Sequence, residues 1–230
     1  MKTIAKIAAL AMTLSLAFVL TACGGSASSS AAASSASASA SSASAAASST
    51  NASASAVSAS ASSAAASVDA DTYTNDAFSI RFNLPKGWSF IDKAGLAEIN
   101  NVMSALTGSA EMDMVAANDA ATQMVVVGIE YPTTENKGMT AQQHLDADIE
   151  EMGKALQGTY SYTSTSATVT FDCIDRELPA AIIDLSAEGK HVYMCEAVAE
   201  KDGYFFDALT MAGSQEEAVK AFENFAAATA

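Results

Sequence analysis

Residues 180–211 read AAIIDLSAEGKHVYMCEAVAEKDGYFFDALTM, and this stretch decides the fold. Three β-rich runs, 180–187, 191–200 and 204–211, are joined by Glu188-Gly189-Lys190 and Lys201-Asp202-Gly203. Glycine-bearing connections this short between such runs are hairpin chemistry, so the stretch predicts a three-stranded antiparallel meander. Upstream, the Tyr- and Thr-rich run 159–174 predicts another strand. Before it, Thr140 and Gln143 form a capping box. That box opens a helix whose inward stripe is Leu145, Ile149, Met152 and Leu156, ended by Gly158. Earlier still, 112–117 and 122–131 predict a hairpin around Asn118-Asp119. In its second strand Val125, Val127, Ile129 and Tyr131 form one face, while Met124, Val126 and Gly128 leave the other face apolar too. A strand apolar on both faces belongs inside a covered sheet.

The front of the domain follows the same logic. Phe78, Ile80 and Phe82 alternate with polar residues as a half-buried strand does; Leu84-Pro85-Lys86-Gly87 interrupts it and 88–91 resumes it. Asp92 is the predicted N-cap of a helix carrying Leu96, Ile99, Met103 and Leu106. At the other end Ser214 and Glu217 form a second capping box, opening a terminal helix with Val219, Phe222 and Phe225 inward. Antiparallel strands apolar on both faces, with three helices to cover them, predict an α+β fold: an α/β/α sandwich whose mostly antiparallel sheet is covered by helices on both faces.

The order of these elements resembles the PsbP/DcrB-like superfamily of extracytoplasmic domains. The matching residues are Phe78-x-Ile80-x-Phe82-x-Leu84-Pro85-x-Gly87-Trp88, the mid-chain helix, the meander with Lys201-Asp202-Gly203, and Phe222-Glu223-Asn224-Phe225. These are packing and turn residues. The resemblance implies a structural, assembly or binding role in the cell envelope and carries no catalytic residues onto this chain.

The first 67 residues are of another kind. Lys2 and Lys6 precede a 14-residue apolar run, residues 7–20, whereas a spanning helix needs about 20. With those flanks the segment reads as a secretory signal. Leu20-Thr21-Ala22-Cys23 resembles the lipobox of bacterial lipoproteins, which implies a signal peptide over 1–22, cleavage before Cys23 and lipid on its thiol. More than one acyl chain is what stable anchoring requires. Residues 24–67 contain only Gly, Ser, Ala, Thr, Asn and one Val. Such a composition cannot bury enough apolar surface to offset chain entropy, so a disordered tether is expected over 23–67, ahead of a globular domain over 68–230. Its flexible-coil reach is ~35–40 Å.

All 26 acidic residues lie between Asp69 and Glu223, where nine basic residues accompany them, a charge of 9 − 26 = −17. That field repels nucleic acid and anionic lipid headgroups. No nucleotide-binding loop, hydrolase elbow or calcium loop is present, so neither a catalytic set nor a cofactor is expected. His144 and His191 have no partner at metal spacing and are expected on the surface. Met112-x-Met114 places two thioethers on one strand face, where core filling is their commoner use. Cys173 and Cys195 fall on next-but-one strands, ~9–10 Å apart. That is too far for a disulfide, so both are expected as free buried thiols.

One pair stands out. If Ala187 lies opposite His191, then Asp184 faces Met194 and shares a sheet face with Glu196, ~7–8 Å away between Cα atoms. Carboxylates so close on an apolar face bind a cation; on an uncovered face they are simply solvated, and the scarcity of buried acids favours the latter. The expected function is a non-catalytic surface lipoprotein, lipid-anchored outside the cell membrane, that binds an envelope protein or wall component. The alternative is a ligand- or cation-binding accessory lipoprotein of a transport system. The oligomeric state stays open.

Overall fold

The computed structural model describes residues 66–107, 110–156, 160–171 and 176–228. The signal, the lipobox with Cys23, most of the tether and Cys173 lie outside the described residues.

The strands are β1 (Ala66–Val68), β2 (Thr72–Asn75), β3 (Ile80–Asn83), β4 (Trp88–Phe90), β5 (Ala110–Asn118), β6 (Met124–Glu130), β7 (Ser161–Phe171), β8 (Arg176–Ala187), β9 (Lys190–Lys201), β10 (Tyr204–Ala212) and β11 (Phe225–Ala227). The helices are α1 (Lys93–Thr107), α2 (Ala141–Leu156) and α3 (Gln215–Lys220). The strands form a four-stranded sheet in the order β1-β2-β3-β11 and a seven-stranded sheet in the order β4-β5-β6-β10-β9-β8-β7. Every pairing in both is antiparallel. The fold is mixed α/β with strands dominating.

The meander forms as its residues require. Both hairpins close through two-residue turns in which both residues have positive φ: Glu188 (52°) with Gly189 (76°), and Asp202 (55°) with Gly203 (82°). These backbone angles are those of the type I′ turn, whose twist matches the strands it joins. β6 is buried along its whole length, as its doubly apolar pattern requires, and pairs with both β5 and β10.

The capping residues also act where expected. The Thr140 N–H donates to Gln143 Oε1 at 2.9 Å and the Gln143 N–H donates to Thr140 Oγ1 at 3.2 Å, a reciprocal box. Asp92 Oδ1 accepts from the Gly95 N–H at 2.8 Å, and Ser214 Oγ from the Glu217 N–H at 3.3 Å. α1 is pinned to β5 by the Asn100 side-chain amide, which donates to the Met112 carbonyl and accepts from its N–H at 2.8 and 2.7 Å. α2 docks beside β7 where Gly153 leaves room: a Cβ there would lie 3.3 Å from the Tyr162 ring, whose hydroxyl donates to the Ile149 carbonyl.

The two faces of the large sheet are covered differently. Leu96 and Ile99 of α1 and Met152 and Leu156 of α2 pack on one face, against Val115, Val126, Ile183, Met194 and Leu209. The opposite face, carrying Val125, Val127, Ala197, Phe206 and Ala208, meets Tyr73, Ile80 and Phe82 of the small sheet together with Phe222 and Phe225. The expected helical cover on both faces is therefore corrected. One face carries two helices; the other is covered chiefly by a second sheet, with α3 beside it.

The sequence interruption at 84–87 is where the chain leaves one sheet for the other. β3 belongs to the small sheet and β4 to the large one, and Gly87 turns between them with φ of 79°. Two boundaries shift for the same reason, that strand pairing recruits flanking residues. Ala66 and Ser67, expected in the tether, pair with Asn75 and Thr74. Phe225, expected at the end of the terminal helix, instead opens β11 opposite Phe82.

A classical irregularity corrects the methionine pair. The β5–β6 register shifts between Met112 and Met114, so Asp113 is an extra residue there. Met112 packs on the helix-covered face and Met114 on the opposite one, and the two thioethers do not share a face.

Candidate functional site

Asp184 and Glu196 are not brought together. The turn at Glu188-Gly189 sets Ala187 opposite Lys190 and Ser186 opposite His191, one residue from the expected register. A slip of one residue moves a side chain to the other face. Asp184 consequently pairs with Tyr193, lies partly exposed and contacts His191 Nδ1 at 2.9 Å. Glu196, opposite Ala181 and Leu209, points beneath α2 and is wholly buried. His191 is exposed as expected. His144 is not: only 4% of its surface is accessible, which corrects its assignment to the surface.

Glu196 meets four other ionisable side chains under α2. The alternation Met194, Glu196, Val198 on β9 and Phe205, Asp207, Leu209 on β10 brings two acids onto the helix-covered face. β6 adds Glu130 at its last position. Opposite Asp207 in the β6–β10 register stands Gly128, which contributes no side chain to that face. α2 contributes His144 and Asp148, one turn apart and on one side of the Leu145–Met152 stripe.

His144 Nε2 lies 3.1 Å from Asp148 Oδ2, 3.4 Å from Glu130 Oε2 and 3.6 Å from Asp207 Oδ1. Its ring stacks on Phe205, centroids 3.9 Å apart and planes 9° from parallel. Yet among the described residues His144 Nε2, Asp148 Oδ2, Asp207 Oδ1 and both Glu196 carboxylate oxygens have no hydrogen-bond partner of acceptable geometry. Glu130 alone has an ordered support: Asn136, buried in the loop ahead of α2, donates to its Oε1 at 3.2 Å and to the Tyr131 carbonyl at 3.0 Å.

Among the described residues no lysine or arginine pairs with any of these carboxylates. Burial, reinforced by the Asp207 charge, pushes the Glu196 carboxyl up to about 8. Burial also raises Glu130 to about 7, against the pull of His144. Asp148 is held well above the usual carboxylate range by burial and then by Glu196, Asp207 and Glu130. Asp207 is raised by burial, with His144 opposing. For His144 burial disfavours the cation, but the Asp207 and Glu130 carboxylates outweigh it and the net shift is upward.

Four acids and an imidazole in a low-dielectric space, without cationic side chains, cannot all ionise unaided. Such a set either retains protons or binds a cation. Ligand atoms of Glu130, His144 and Asp207 all lie within 4.8 Å of one another, and so do those of Asp148, Glu196 and Asp207.

Of the two thiols expected free and buried, Cys173 lies outside the described residues. Cys195 is a free thiol, buried on the opposite face from Glu196, with burial and then the Glu196 charge raising it to about 12. Sequence reasoning picked out Glu196 but paired it wrongly, and it missed Glu130, Asp148 and Asp207. A signal existed: Asp207 stands in a run, Tyr204-Phe205-Phe206-Asp207-Ala208-Leu209, that is apolar on both faces, so its carboxyl has no exposed side to turn to.

Comparison with models of known protein families, and with curated proteins, returns no match to this chain.

Proposed function

We propose that this protein is an extracytoplasmic lipoprotein, anchored through lipid on Cys23, whose domain binds a divalent cation as an accessory to transport across the envelope. The cation-binding reading rests on one observation: Glu196 is wholly buried and both its carboxylate oxygens lack a partner among the described residues, in a cluster holding Asp148, Asp207, Glu130 and His144. A buried carboxylate without a hydrogen bond is costly, and ligation by a cation removes that cost.

The anchoring reading rests on Leu20-Thr21-Ala22-Cys23 behind its apolar run, and the Ser/Ala-rich tether supports placement of the domain clear of the membrane surface. The element order supports a PsbP/DcrB-like relationship, with α1 and α2 on one face of the large sheet and the small sheet, α3 beside it, on the other. That tether also favours a second reading, in which the domain meets an envelope protein or wall component.

The full chain, purified from membranes in detergent, stripped with chelator and dialysed against Mn²⁺ or Zn²⁺, is expected to retain metal and to melt at a higher temperature than the stripped protein. Absence of both effects with Mn²⁺, Zn²⁺ and Ca²⁺ overturns the cation-binding reading. A Cys23→Ser variant is expected to leave the membrane fraction, and its retention there overturns the lipid anchor.

A further inference from the structure

The cluster beneath α2 has an internal division. Its two sets of converging ligand atoms, Glu130/His144/Asp207 and Asp148/Glu196/Asp207, share a single member. We propose that the cluster is a two-ion centre for divalent first-row transition metals, bridged by Asp207. Glu130 and His144 complete one subsite, and Asp148 and Glu196 the other. This rests on the cation-binding reading above and adds the number of ions, their class and their ligands.

Three observations lead there. The first is which atoms stand without partners. His144 Nε2, Asp148 Oδ2, Asp207 Oδ1 and both Glu196 oxygens are buried and unbonded among the described residues, so each of these four residues offers a ligand atom. Glu130 uses Oε1 for Asn136 and keeps Oε2 on the His144 side, the arrangement in which an outer hydrogen bond orients a ligating carboxylate.

The second is charge. Four carboxylates carry four negative charges when ionised, and ligation requires a neutral imidazole. One divalent ion leaves two buried negative charges uncompensated, while two ions balance all four. No described lysine or arginine is present to share the task.

The third is the donor set. An imidazole nitrogen beside carboxylates suits manganese, iron or zinc rather than calcium. Bonds of about 2.1 Å set neighbouring ligands of one ion roughly 3.0–3.4 Å apart, and His144 Nε2 stands 3.4 Å from Glu130 Oε2 and 3.6 Å from Asp207 Oδ1. The all-oxygen subsite adjoins it, since Asp148 Oδ2 is 3.1 Å from the same nitrogen. A bridging carboxylate between such subsites is the usual link in two-metal sites, whose ions lie about 3.5–4 Å apart.

The test counts ions. Full chain in detergent is stripped with chelator, dialysed against Mn²⁺, and analysed for metal per chain by mass spectrometry and for an exchange-coupled pair by electron paramagnetic resonance. Wild type is expected to hold two ions with a coupled signal. His144→Ala and Glu196→Gln are each expected to hold one ion with an uncoupled signal, and Asp207→Asn is expected to lose the coupled signal. Asp184→Asn, at the exposed acid on the other face, is expected to keep both ions. Circular dichroism of each variant confirms that the count is taken on folded protein. A wild-type count of one overturns the pair and leaves cation binding standing. A count of zero overturns the two-ion centre, and zero with Zn²⁺ and Ca²⁺ as well overturns cation binding too. Two ions retained in both His144→Ala and Glu196→Gln place the metal elsewhere and overturn the assignment.

Discussion

The seven-stranded sheet buries carboxylates on both of its faces and treats them in opposite ways. On the face toward the small sheet, Asp113 occupies the β5 bulge, where its Oδ2 accepts hydrogen bonds of 3.0 Å from both the Tyr73 hydroxyl and the Asn75 amide. Asn75 in turn accepts from the Phe78 N–H at 3.2 Å, so a single acid ties β2 and its following turn to β5. On the face beneath α2, Glu196 accepts nothing from the described residues. The difference separates two uses of a buried charge. A carboxylate with matched donors locks two layers together, whereas one surrounded by other acids and an imidazole stays uncompensated unless it keeps a proton or gains a cation. The numbers agree: burial, opposed by its two donors, leaves Asp113 at about 6, while Glu196, lacking donors, reaches about 8.

Truncation tests this contrast most strongly. Asp113→Ala strands two buried donors, each worth about 1–3 kcal/mol, and is expected to destabilise the domain by about 2–5 kcal/mol in denaturant unfolding. Glu196→Met, measured on chelator-stripped protein, is expected to do the reverse. Replacing an uncompensated buried acid by an apolar side chain of similar size is expected to raise stability by about 1–4 kcal/mol. If both substitutions destabilise to the same degree, the two acids do the same job and the contrast is broken.

The pH dependence sharpens the comparison further. Both carboxyls have folded values above the ordinary carboxylate range, so the folded chain holds protons that the unfolded chain has released. Stability from each is complete below its unfolded value and is lost as pH rises through its folded value. For Asp113 that window ends near pH 6, and for Glu130 and Glu196 near 7 and 8. Stripped protein is expected to lose about 1.4 kcal/mol per pH unit for each group titrating. Asp113→Asn, which keeps an acceptor for Tyr73, is expected to remove one group's share of the loss below about pH 6 and to leave the loss above it unchanged. Urea unfolding midpoints from pH 4 to 9 read this out, and a loss confined to acid pH contradicts the assignment.

The smallest effect comes from the helix above the site. Thr140→Ala removes half of the capping box and is expected to cost ~1 kcal/mol without changing the metal count. A changed count means that the start of α2 positions His144 more strictly than its packing on Phe205 does.

Local features were legible in the sequence because neighbouring residues form them. The Thr140/Gln143 and Ser214/Glu217 boxes, the Asp92 cap, the glycine turns of the meander and the Leu145-Ile149-Met152-Leu156 stripe all require nothing beyond their own segment. The candidate site was legible only in fragments. At 100° per residue, Asp148 lies about 60° and His144 about 100° from Leu145 around the helix, outside the narrow apolar stripe. They are buried because Leu145, Met152 and Leu156 dock α2 on the sheet, and nothing within α2 announces which residues it meets there. Asp184 and Glu196 were misjudged because a two-residue turn and a three-residue one differ by a single step, and a single step reverses the face of every side chain on the strand.

What the sequence by itself determined is therefore most of the inventory: the strands of the large sheet, the helices with their caps and turns, and the separation of an alanine- and serine-rich N-terminal stretch from an acidic domain, while β1, β2 and β11 emerge only through pairing. What only the tertiary structure decided is how those segments are shared between two sheets, that β11 closes the small one, and which acids meet. The physical reason is that helices, caps and turns are satisfied by groups a few residues apart, whereas a buried site depends on register parity, on the bulge at Asp113 and on the docking of α2. These set which face each side chain enters, and they are fixed by contacts between residues as distant in sequence as Glu130 and Asp207.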